Sequence, residues 1–398
     1  MSQINIPSEV EKILNLLNQN NFEAYVVGGC VRDYLIGNLP KDWDITTNAK
    51  PEQIKNIFEK TVDTGIAHGT VTIILNKKHF EVTTYRIDGE YKDCRKPQNV
   101  FFTDDLIKDL SRRDFTINAI AYNKINGYVD PFDGRDDIKN KLIRCVADTN
   151  LRFKEDALRM MRALRFACQL NFNIENETYK KLCENVHLIE FVSIERIRDE
   201  LIKLFSSSHL NNFHLLIDSK ILKYVSLDLH RYLCDNLDCI KKILERSNKK
   251  TDILFATAFY KLNSNLAYKL MKFFRFDNKT CDTVKIILDN LNVSFENDCY
   301  IIKKIISKIG YERFCFLIEV QENLSLIDSA NDIKKLADNM KNECIFLKDL
   351  ALNGNDIKAL GFSGAKIGLV LNYLLDIVHK FPCKNNFDEL IALAKLYK

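Results

Sequence analysis

The 398-residue chain lacks several features that would place it in a membrane or outside the cell. It has no uninterrupted apolar run of the ~18 residues that mark a membrane-spanning helix. Residues 1–10 are polar and include Pro7, so they resemble neither a secretory signal nor an arginine-rich transit peptide. No Cys-x-x-Cys pair occurs among the twelve cysteines, which argues against a zinc site. We therefore expect reduced thiols, as in the cytoplasm.

The chain also lacks an excess of charge of either sign. It carries 58 basic and 54 acidic side chains, a net charge of +4. This near balance excludes a histone-like polycation. It leaves room for a local basic face that binds RNA, because such a face depends on where the charge lies rather than on its total.

The first part of the chain contains both strand and helix patterns, and it also contains most of the 13 glycines. From Leu151 onward the apolar spacing is helical almost throughout, with little strand signal. This order predicts an α+β protein in which an N-terminal head with a small mixed or antiparallel sheet precedes an all-α remainder. The predicted head, helical neck, helical body and helical tail comprise residues 1–145, 146–210, 211–325 and 326–398.

A diglycine stands where a buried strand meets a helix. Gly28 and Gly29 end the strand-like segment that begins at Ala24. Glycine backbone can lie close to a phosphate, and a helix N-terminus adds a partial positive charge. Arg32, one turn into the helix, could donate to phosphate oxygens. On its own, a diglycine at this place is more often an ordinary strand-to-helix turn.

Two aspartates follow the diglycine. The segment from Trp43 to Thr46 is predicted to be a strand, on which Asp42 and Asp44 share one face while Trp43 points toward the core. Carboxylates are the ligands that Mg²⁺ prefers, and two metal ions can activate an attacking hydroxyl and stabilise a leaving oxygen. Glu81, on a neighbouring predicted strand, is a candidate third carboxylate; a cross-strand salt bridge is its alternative.

The segment Arg112–Asn118 combines two arginines with an aspartate. Asp114 is predicted to cap a helix that continues through Asn118 and Ala121. Arg113 would then lie beside a helix start, where a phosphate could bind. A solvated surface charge is the alternative for this arginine.

The segment Glu155–Arg165 has helical spacing. A continuous helix would place Asp156 beside Arg159 and would set Arg162 and Arg165 along a slowly rotating stripe. An aspartate acceptor beside an arginine donor could pair with the Watson–Crick edge of cytosine or of adenine, whereas guanine and uracil present the opposite polarity. A salt-bridged amphipathic helix is the alternative.

Together these segments resemble, in order, the motifs of the class II tRNA nucleotidyltransferases, the CCA-adding enzymes of the bacterial kind. The similarity covers about 175 residues. The resembling segments are Gly28–Asp33 with Asp42–Asp44, Arg112–Asn118, Asp130–Gly134 with Asp136 and Asp137, Glu155–Arg159, and Ser193–Lys203.

The resemblance implies template-independent addition of CCA to the tRNA 3′ end from CTP and ATP, with Mg²⁺ as cofactor. It implies tRNA as partner, no DNA and no membrane, and it leaves a homodimer and an organelle of bacterial ancestry open. The implied roles are metal binding and catalysis by Asp42 and Asp44, catalysis by Glu81, nucleotide contacts by Gly29, Arg32 and Arg113, base selection by Asp156 and Arg159, and nucleotide and phosphate binding by Arg162 and Arg165.

Three rivals stay open on the sequence. A bacterial poly(A) polymerase shares the head and neck, although the Lys77-Lys78-His79 segment departs from the basic pair before an aromatic that such enzymes usually carry. Enzymes that add only CC or only A are similar, but the loop Tyr85–Pro97 has the length of the complete enzyme. An inactive RNA-binding protein on the same fold is disfavoured, because Asp42 and Asp44 are both present.

Overall fold

The computed structural model divides into two compact units, residues 1–237 and 238–398. The loop Tyr85–Pro97, whose length favours complete CCA addition, lies in part outside the described residues. The finer division into four parts at 145, 210 and 325 stays a prediction. The residues that the structure describes are 3–89, 91–92, 96–97, 99–295 and 298–397.

The strands all lie in the first unit, as far as the described residues show. They are β1 (Ala24–Val27), β2 (Ile45–Thr47), β3 (Thr61–Gly65), β4 (Thr70–Leu75), β5 (Lys78–Thr84), β6 (Arg86–Asp88), β7 (Tyr91–Lys92), β8 (Lys96–Pro97), β9 (Val100–Phe102), β10 (Ala121–Asn123), β11 (Gly127–Val129), β12 (Leu142–Ile143) and β13 (Asn173–Ile174).

The helices of the first unit alternate with these strands along the chain and continue after the last strand. They are α1 (Ser8–Gln19), α2 (Gly29–Ile36), α3 (Pro51–Ile57), α4 (Leu106–Ser111), α5 (Gly134–Lys139), α6 (Thr149–Glu155), α7 (Leu158–Leu170), α8 (Asn176–Asn185), α9 (Ile194–Phe205), α10 (Leu215–Asp218) and α11 (Ile221–Val225).

The division between the units falls inside α12 (Leu227–Arg246). The second unit continues with α13 (Thr251–Ala258), α14 (Ser264–Phe273), α15 (Asn278–Asp289), α16 (Cys299–Ile309), α17 (Tyr311–Asn323), α18 (Ala330–Asn339), α19 (Gly354–Ala359), α20 (Ala365–Lys380) and α21 (Phe387–Leu396). Within the described part of the chain, no helix has both the length and the apolar character needed to span a bilayer.

A seven-stranded mixed sheet organises the head, in the order β11-β10-β1-β2-β5-β4-β3. Only β2 and β5 pair in parallel, with Ile45 beside Val82, and the other neighbours are antiparallel. The buried side chains of Val27, Tyr85 and Leu110 pack α4 against this sheet. The predicted α+β head is confirmed, and the remainder is helical as predicted except for the two-residue strand β13.

Three local predictions are wrong. The strand predicted from Trp43 begins only at Ile45, so both aspartates precede it. The helix predicted after Asp114 is a single 3₁₀ turn over Thr116–Asn118, which β10 follows. The helix predicted over residues 155–165 is interrupted, since α6 ends at Glu155 and α7 begins at Leu158.

Gly134 is the first residue of α5 and packs closely against the 3₁₀ turn, where there is no room for a side chain. A Cβ atom there would overlap the Thr116 carbonyl and approach the Ile120 side chain at 2.9 Å. Because backbone cannot move aside cheaply, we expect Gly134→Ala to cost ~2 kcal/mol and to lower the thermal midpoint by several degrees. Gly368→Ala in α20 is the matched control, since its methyl group meets nothing within 4 Å. Equal midpoints for the two variants would contradict this account.

Candidate functional site

The turn between β1 and α2 requires glycine. Gly28 has φ 81° and ψ −129°, a conformation that side chains rarely adopt, and its N–H donates to the Ile120 carbonyl at 3.2 Å. A Cβ atom on Gly28 would lie 3.1 Å from Arg113 Nη1. The turn therefore lets the Arg113 guanidinium lie directly over the start of α2.

Arg32 is held in place by neighbouring polar groups. Its side chain is buried, its Nη1 donates to Asn118 Oδ1 at 2.7 Å, and its Nε and Nη2 donate to Asp33 Oδ1 at 2.9 and 2.7 Å. The guanidinium also lies 5.0 Å from the centre of the Phe166 ring. These contacts fix the cation at the N-terminal end of α2.

A hydrogen-bonded chain connects this arginine to α7. Asn118 Nδ2 donates to Asp114 Oδ1 at 3.0 Å, and Arg162 donates to Asp114 Oδ2 through Nε and Nη2 at 2.8 and 2.6 Å. Burial by itself would raise the pKa of Asp114, but the charge of Arg162 and the Asn118 amide together hold it well below its usual range. Asp114 is therefore a permanent carboxylate that joins the head to α7.

The two aspartates lie immediately before β2, at the N-terminal end of this central strand of the sheet. Both are exposed, and the carbonyl of Asp44 accepts a hydrogen bond from Val27 N–H at 3.0 Å, which anchors the segment to β1. The protein around Asp44 raises the pKa of its carboxyl by desolvation. Arg113 opposes this shift, and the charges of Glu81 and Asp42 add to it. The three carboxylates of Asp42, Asp44 and Glu81 thus concentrate negative charge beside the start of β2.

Glu81 approaches from the adjacent strand. It lies on β5, whose next residue pairs with the first residue of β2, and it stands opposite Thr72 of β4. Across the described ranges of the chain, no group of three or more His, Cys, Asp or Glu side chains is arranged to hold a metal ion. The pair Asp42 and Asp44 still fits Mg²⁺, which keeps several waters and binds through one or two carboxylates together with substrate phosphates.

Two cavities share these aspartates. One, of about 570 Å³, extends along α2 and is lined by Gly29, Arg32 and Lys41 among others. The other, of about 610 Å³, extends over β3, β4 and β5 and includes Glu81. Asp42 and Asp44 line both, so they form the common border of two cavities, of which the one along α2 also contains basic side chains and the described lining of the other does not.

Asp156 occupies the break between α6 and α7. Its backbone is extended, with φ −141° and ψ 98°, and its Oδ1 accepts the Leu158 N–H at 3.2 Å. Arg196 of α9 holds the same carboxylate from the other side, with Nη1 and Nη2 at 3.2 and 2.8 Å from Oδ1 and Oδ2. Sequence reasoning missed Arg196 as a partner of Asp156, although it lies within the Ser193–Lys203 segment that resembles a family motif.

Arg159 pairs with groups other than Asp156. Its side chain is buried, Nη1 donates to Glu155 Oε2 at 3.2 Å, and Nη2 donates to the Arg112 carbonyl at 2.8 Å. The continuous helix expected to carry Asp156 and Arg159 is therefore wrong, and the two side chains have different hydrogen-bond partners. Each side chain is instead fixed separately at the start of α7.

The predicted arginine stripe is engaged in internal ion pairs. Arg162 binds Asp114 and lies 3.9 Å from Glu200, while Arg165 binds Glu200 and donates to Gln169 Oε1 at 2.6 Å. Arg165 also stacks 3.8 Å from the centre of the Phe166 ring. In this conformation both arginines join α7 to its neighbours, and their contact with a nucleotide stays a prediction.

Comparison with known proteins identifies relatives over nearly the whole chain. A family model described as the Poly A polymerase head domain matches residues 24–144, and one described as the probable RNA and SrmB-binding site of polymerase A matches residues 171–233. A CCA-adding enzyme of Ligilactobacillus salivarius is 36% identical over 397 residues, covering 94% of this chain and 93% of its own. One of Lactobacillus helveticus is 46% identical over 210 residues, covering 52% and 53%.

Solved structures that superpose on this chain are also those of CCA-adding enzymes. The CCA-adding enzyme of Bacillus stearothermophilus in complex with CTP superposes with a TM-score of 0.84 at 28% identity, covering 98% of this chain and 96% of that one. A CCA-adding enzyme in complex with ATP has a TM-score of 0.67 at 19% identity, covering 99% and 97%, and supports the fold alone.

Proposed function

Because this chain belongs to the class II CCA-adding enzymes, we propose that it completes the 3′ end of tRNA with two CMP residues and one AMP residue, drawn from CTP and ATP. The observation that carries the chemistry is the pair Asp42 and Asp44 at the common border of two cavities, of which only the one along α2 has basic side chains among its described lining residues. Such a border suits a reaction in which an anionic triphosphate and an RNA end meet from two sides.

The cavity along α2 is the proposed triphosphate site. Gly29 exposes backbone at the N-terminus of α2, where the helix dipole favours anions. Arg32 lines the cavity, and Arg113 lies over the glycine turn. Because the contacts of Arg32 with Asp33 and Asn118 and the turn at Gly28 fix these groups in advance, they would orient the phosphates at little cost in reorganisation.

Asp42 and Asp44 are the proposed ligands of a divalent cation, with Glu81 close enough to add to the local negative charge. Mg²⁺ bound there would supply activation of the attacking hydroxyl and neutralisation of the departing pyrophosphate. Desolvation raises the pKa of Asp44 and the charges of Glu81 and Asp42 add to this shift, and a cation bound there would oppose it.

Each transfer forms one bond and breaks one bond. The 3′-oxygen of the RNA attacks the α-phosphorus, the bond from the α-phosphorus to the bridging oxygen breaks, and pyrophosphate leaves with that electron pair. The hydroxyl proton passes to solvent. The protein groups hold the three reacting atoms in line, and such positioning can account for a large part of the rate.

Asp156 and Arg159 are the proposed readers of the incoming base, and both retain hydrogen-bonding capacity. A carboxylate has about four acceptor positions, of which Arg196 and the Leu158 N–H use three. A guanidinium has about five donors, of which Glu155 and the Arg112 carbonyl take two. The remaining acceptor position of Asp156 can accept from the amino group that cytosine and adenine share. The remaining donors of Arg159 can donate to the neighbouring ring nitrogen of either base.

Arg196 is expected to position Asp156 rather than to touch the nucleotide. Arg196→Met removes the two-point contact but keeps most of the side-chain volume, so discrimination between CTP and UTP should fall ~10-fold, because Asp156 is no longer held in one orientation. Arg196→Lys should restore part of it. Arg198→Met in the same helix, where the pair with Asp199 is partly exposed, serves as control. Unchanged discrimination in Arg196→Met would refute this role.

The proposal is tested by extending a tRNA transcript that lacks CCA with CTP alone, with ATP alone and with both. A second transcript ends in CC. Addition of CC and then one A would support the complete enzyme. CC alone, or A only on the second transcript, would indicate a partial enzyme; a long A ladder would indicate a poly(A) polymerase, and no extension an RNA-binding protein. The free thiols of the described cysteines suit the proposed cytoplasmic location.

A further inference from the structure

The acidic cavity over β3, β4 and β5 has a lining unlike that of the triphosphate site. Its volume is about 610 Å³, and its walls include Trp43, Val62, Thr72 and His79 beside the carboxylates. Among the described residues that line it there is no lysine or arginine, whereas the cavity along α2 contains Arg32 and Lys41. The cavity along α2 therefore offers a triphosphate basic side chains that the described lining of the acidic cavity does not.

Trp43 does not lie where the sequence predicted it. The strand begins only at Ile45, so the ring is not directed into the core by strand alternation; it is half-buried and lines this cavity. It is the only tryptophan of the chain, and it stands in sequence between the two aspartates. A partly exposed aromatic ring beside reacting groups offers an apolar face to a ligand.

The cavity floor is built from one face of the sheet. Val62 and Glu81 both stand opposite Thr72 in register, and the Thr64 and Thr72 hydroxyls are 2.7 Å apart. His79 lies two residues before Glu81 on β5, so it shares that face. The surface therefore combines an aromatic ring, hydroxyls and an imidazole, which suit a nucleoside better than a phosphate chain.

In-line displacement separates the two ligands. The attacking oxygen and the departing pyrophosphate lie on opposite sides of the α-phosphorus, so the RNA end would approach from the side away from the triphosphate in the cavity along α2. Since Asp42 and Asp44 border both cavities, the 3′-hydroxyl would reach them from the acidic one. The terminal base also differs between the first addition, where it is the last base of the tRNA itself, and the later ones, where it is cytosine; stacking tolerates such change because every base has a π-face.

We propose that the acidic cavity binds the 3′-terminal nucleoside of the acceptor RNA, with its base stacked on Trp43. This inference rests on the proposed function and names the subsite for its second substrate. Trp43 holds the terminal nucleoside so that its 3′-hydroxyl faces the aspartates, and it makes no contact with the incoming triphosphate.

The single tryptophan permits a direct test by fluorescence. A tRNA transcript lacking CCA should quench Trp43 emission, CTP without RNA should leave the emission unchanged, and the same RNA with an abasic 3′-terminal nucleotide should bind but quench much less. Filter binding with labelled RNA confirms that both transcripts are bound. Equal quenching by the abasic RNA, or quenching by CTP alone, would overturn the assignment.

Kinetics of two variants complete the test. Trp43→Ala should raise the KM for RNA ~10-fold, Trp43→Phe should remain near the wild type, and neither should change the KM for CTP, because only stacking of the RNA base is altered. With the abasic RNA, Trp43→Ala and wild type should have equal KM values. Phe191→Ala, at an exposed aromatic outside the cavity, is the control.

The outcomes also separate this inference from the proposed function. A wild-type protein that extends tRNA, together with a Trp43→Ala variant that has an unchanged KM for RNA, would overturn the stacking role alone. A folded wild-type protein that extends no RNA would instead refute the proposed function. Circular dichroism of each variant distinguishes loss of the subsite from loss of the fold.

Discussion

Replacing Asp42 with asparagine is expected to reduce nucleotide transfer by at least ~10³-fold, because the amide cannot supply the negative charge that a divalent cation requires. The substitution preserves size and shape, and Asp42 is exposed at the rim of both cavities, so stability should change little. The affinity for tRNA should also stay close to that of the wild type. Asp44→Asn should behave in the same way.

The measurement is single-turnover extension of a tRNA lacking CCA over a range of Mg²⁺ concentrations, with tRNA affinity determined in parallel. Asp63→Asn is a suitable control, because Asp63 lies in the same sheet but its side chain pairs with Lys55 at 2.9 Å. Mg²⁺-dependent activity retained in Asp42→Asn would show that the cation is held elsewhere. Loss of tRNA affinity together with activity would instead point to a binding defect.

Replacing Asp156 with asparagine is expected to blur the choice of nucleotide by ~10- to 100-fold, the range found when one member of a paired hydrogen-bonding contact to a base is lost. Asparagine can still accept the Leu158 N–H with its carbonyl oxygen, so the start of α7 should persist. Its amide would present a donor where the carboxylate presents an acceptor, and UTP should therefore become a better substrate relative to CTP.

Competition between CTP and UTP on one transcript measures this ratio of kcat/KM values. A uniform loss of kcat with discrimination intact would mean that Asp156 supports the helix break and does not read the base. Combining Asp156→Asn with Arg196→Met gives a further check. If Arg196 acts only through Asp156, the double variant should discriminate no worse than Asp156→Asn alone.

Local sequence patterns located the parts of the site that depend on short segments. The diglycine, Arg32 and the two aspartates lie within 17 residues, and a turn followed by a helix and a strand brings them together with few alternatives. The fold class was also predictable, because the change from mixed to helical patterns survives uncertainty in each boundary. Where β2 begins was not, since three residues of strand carry little periodicity.

The contacts between distant segments could not be obtained from periodicity. Arg196 and Asp156 are 40 residues apart, as Arg162 and Asp114 are 48 apart, and only the packing of α7 against its neighbours brings them together. The prediction of one helix over residues 155–165 failed for a local reason. Asp156 accepts the N–H of Leu158 with its own side chain, and that bond competes with continuation of α6.

We propose that the protein itself, without a nucleic-acid template, selects two CMP residues and one AMP residue. The most direct measurement is the intact mass of a tRNA lacking CCA after incubation with Mg²⁺ and all four triphosphates together. We expect one product, heavier by two CMP residues and one AMP residue, that does not grow further. A ladder of added adenylates, or a mixture containing UMP and GMP residues, would contradict it.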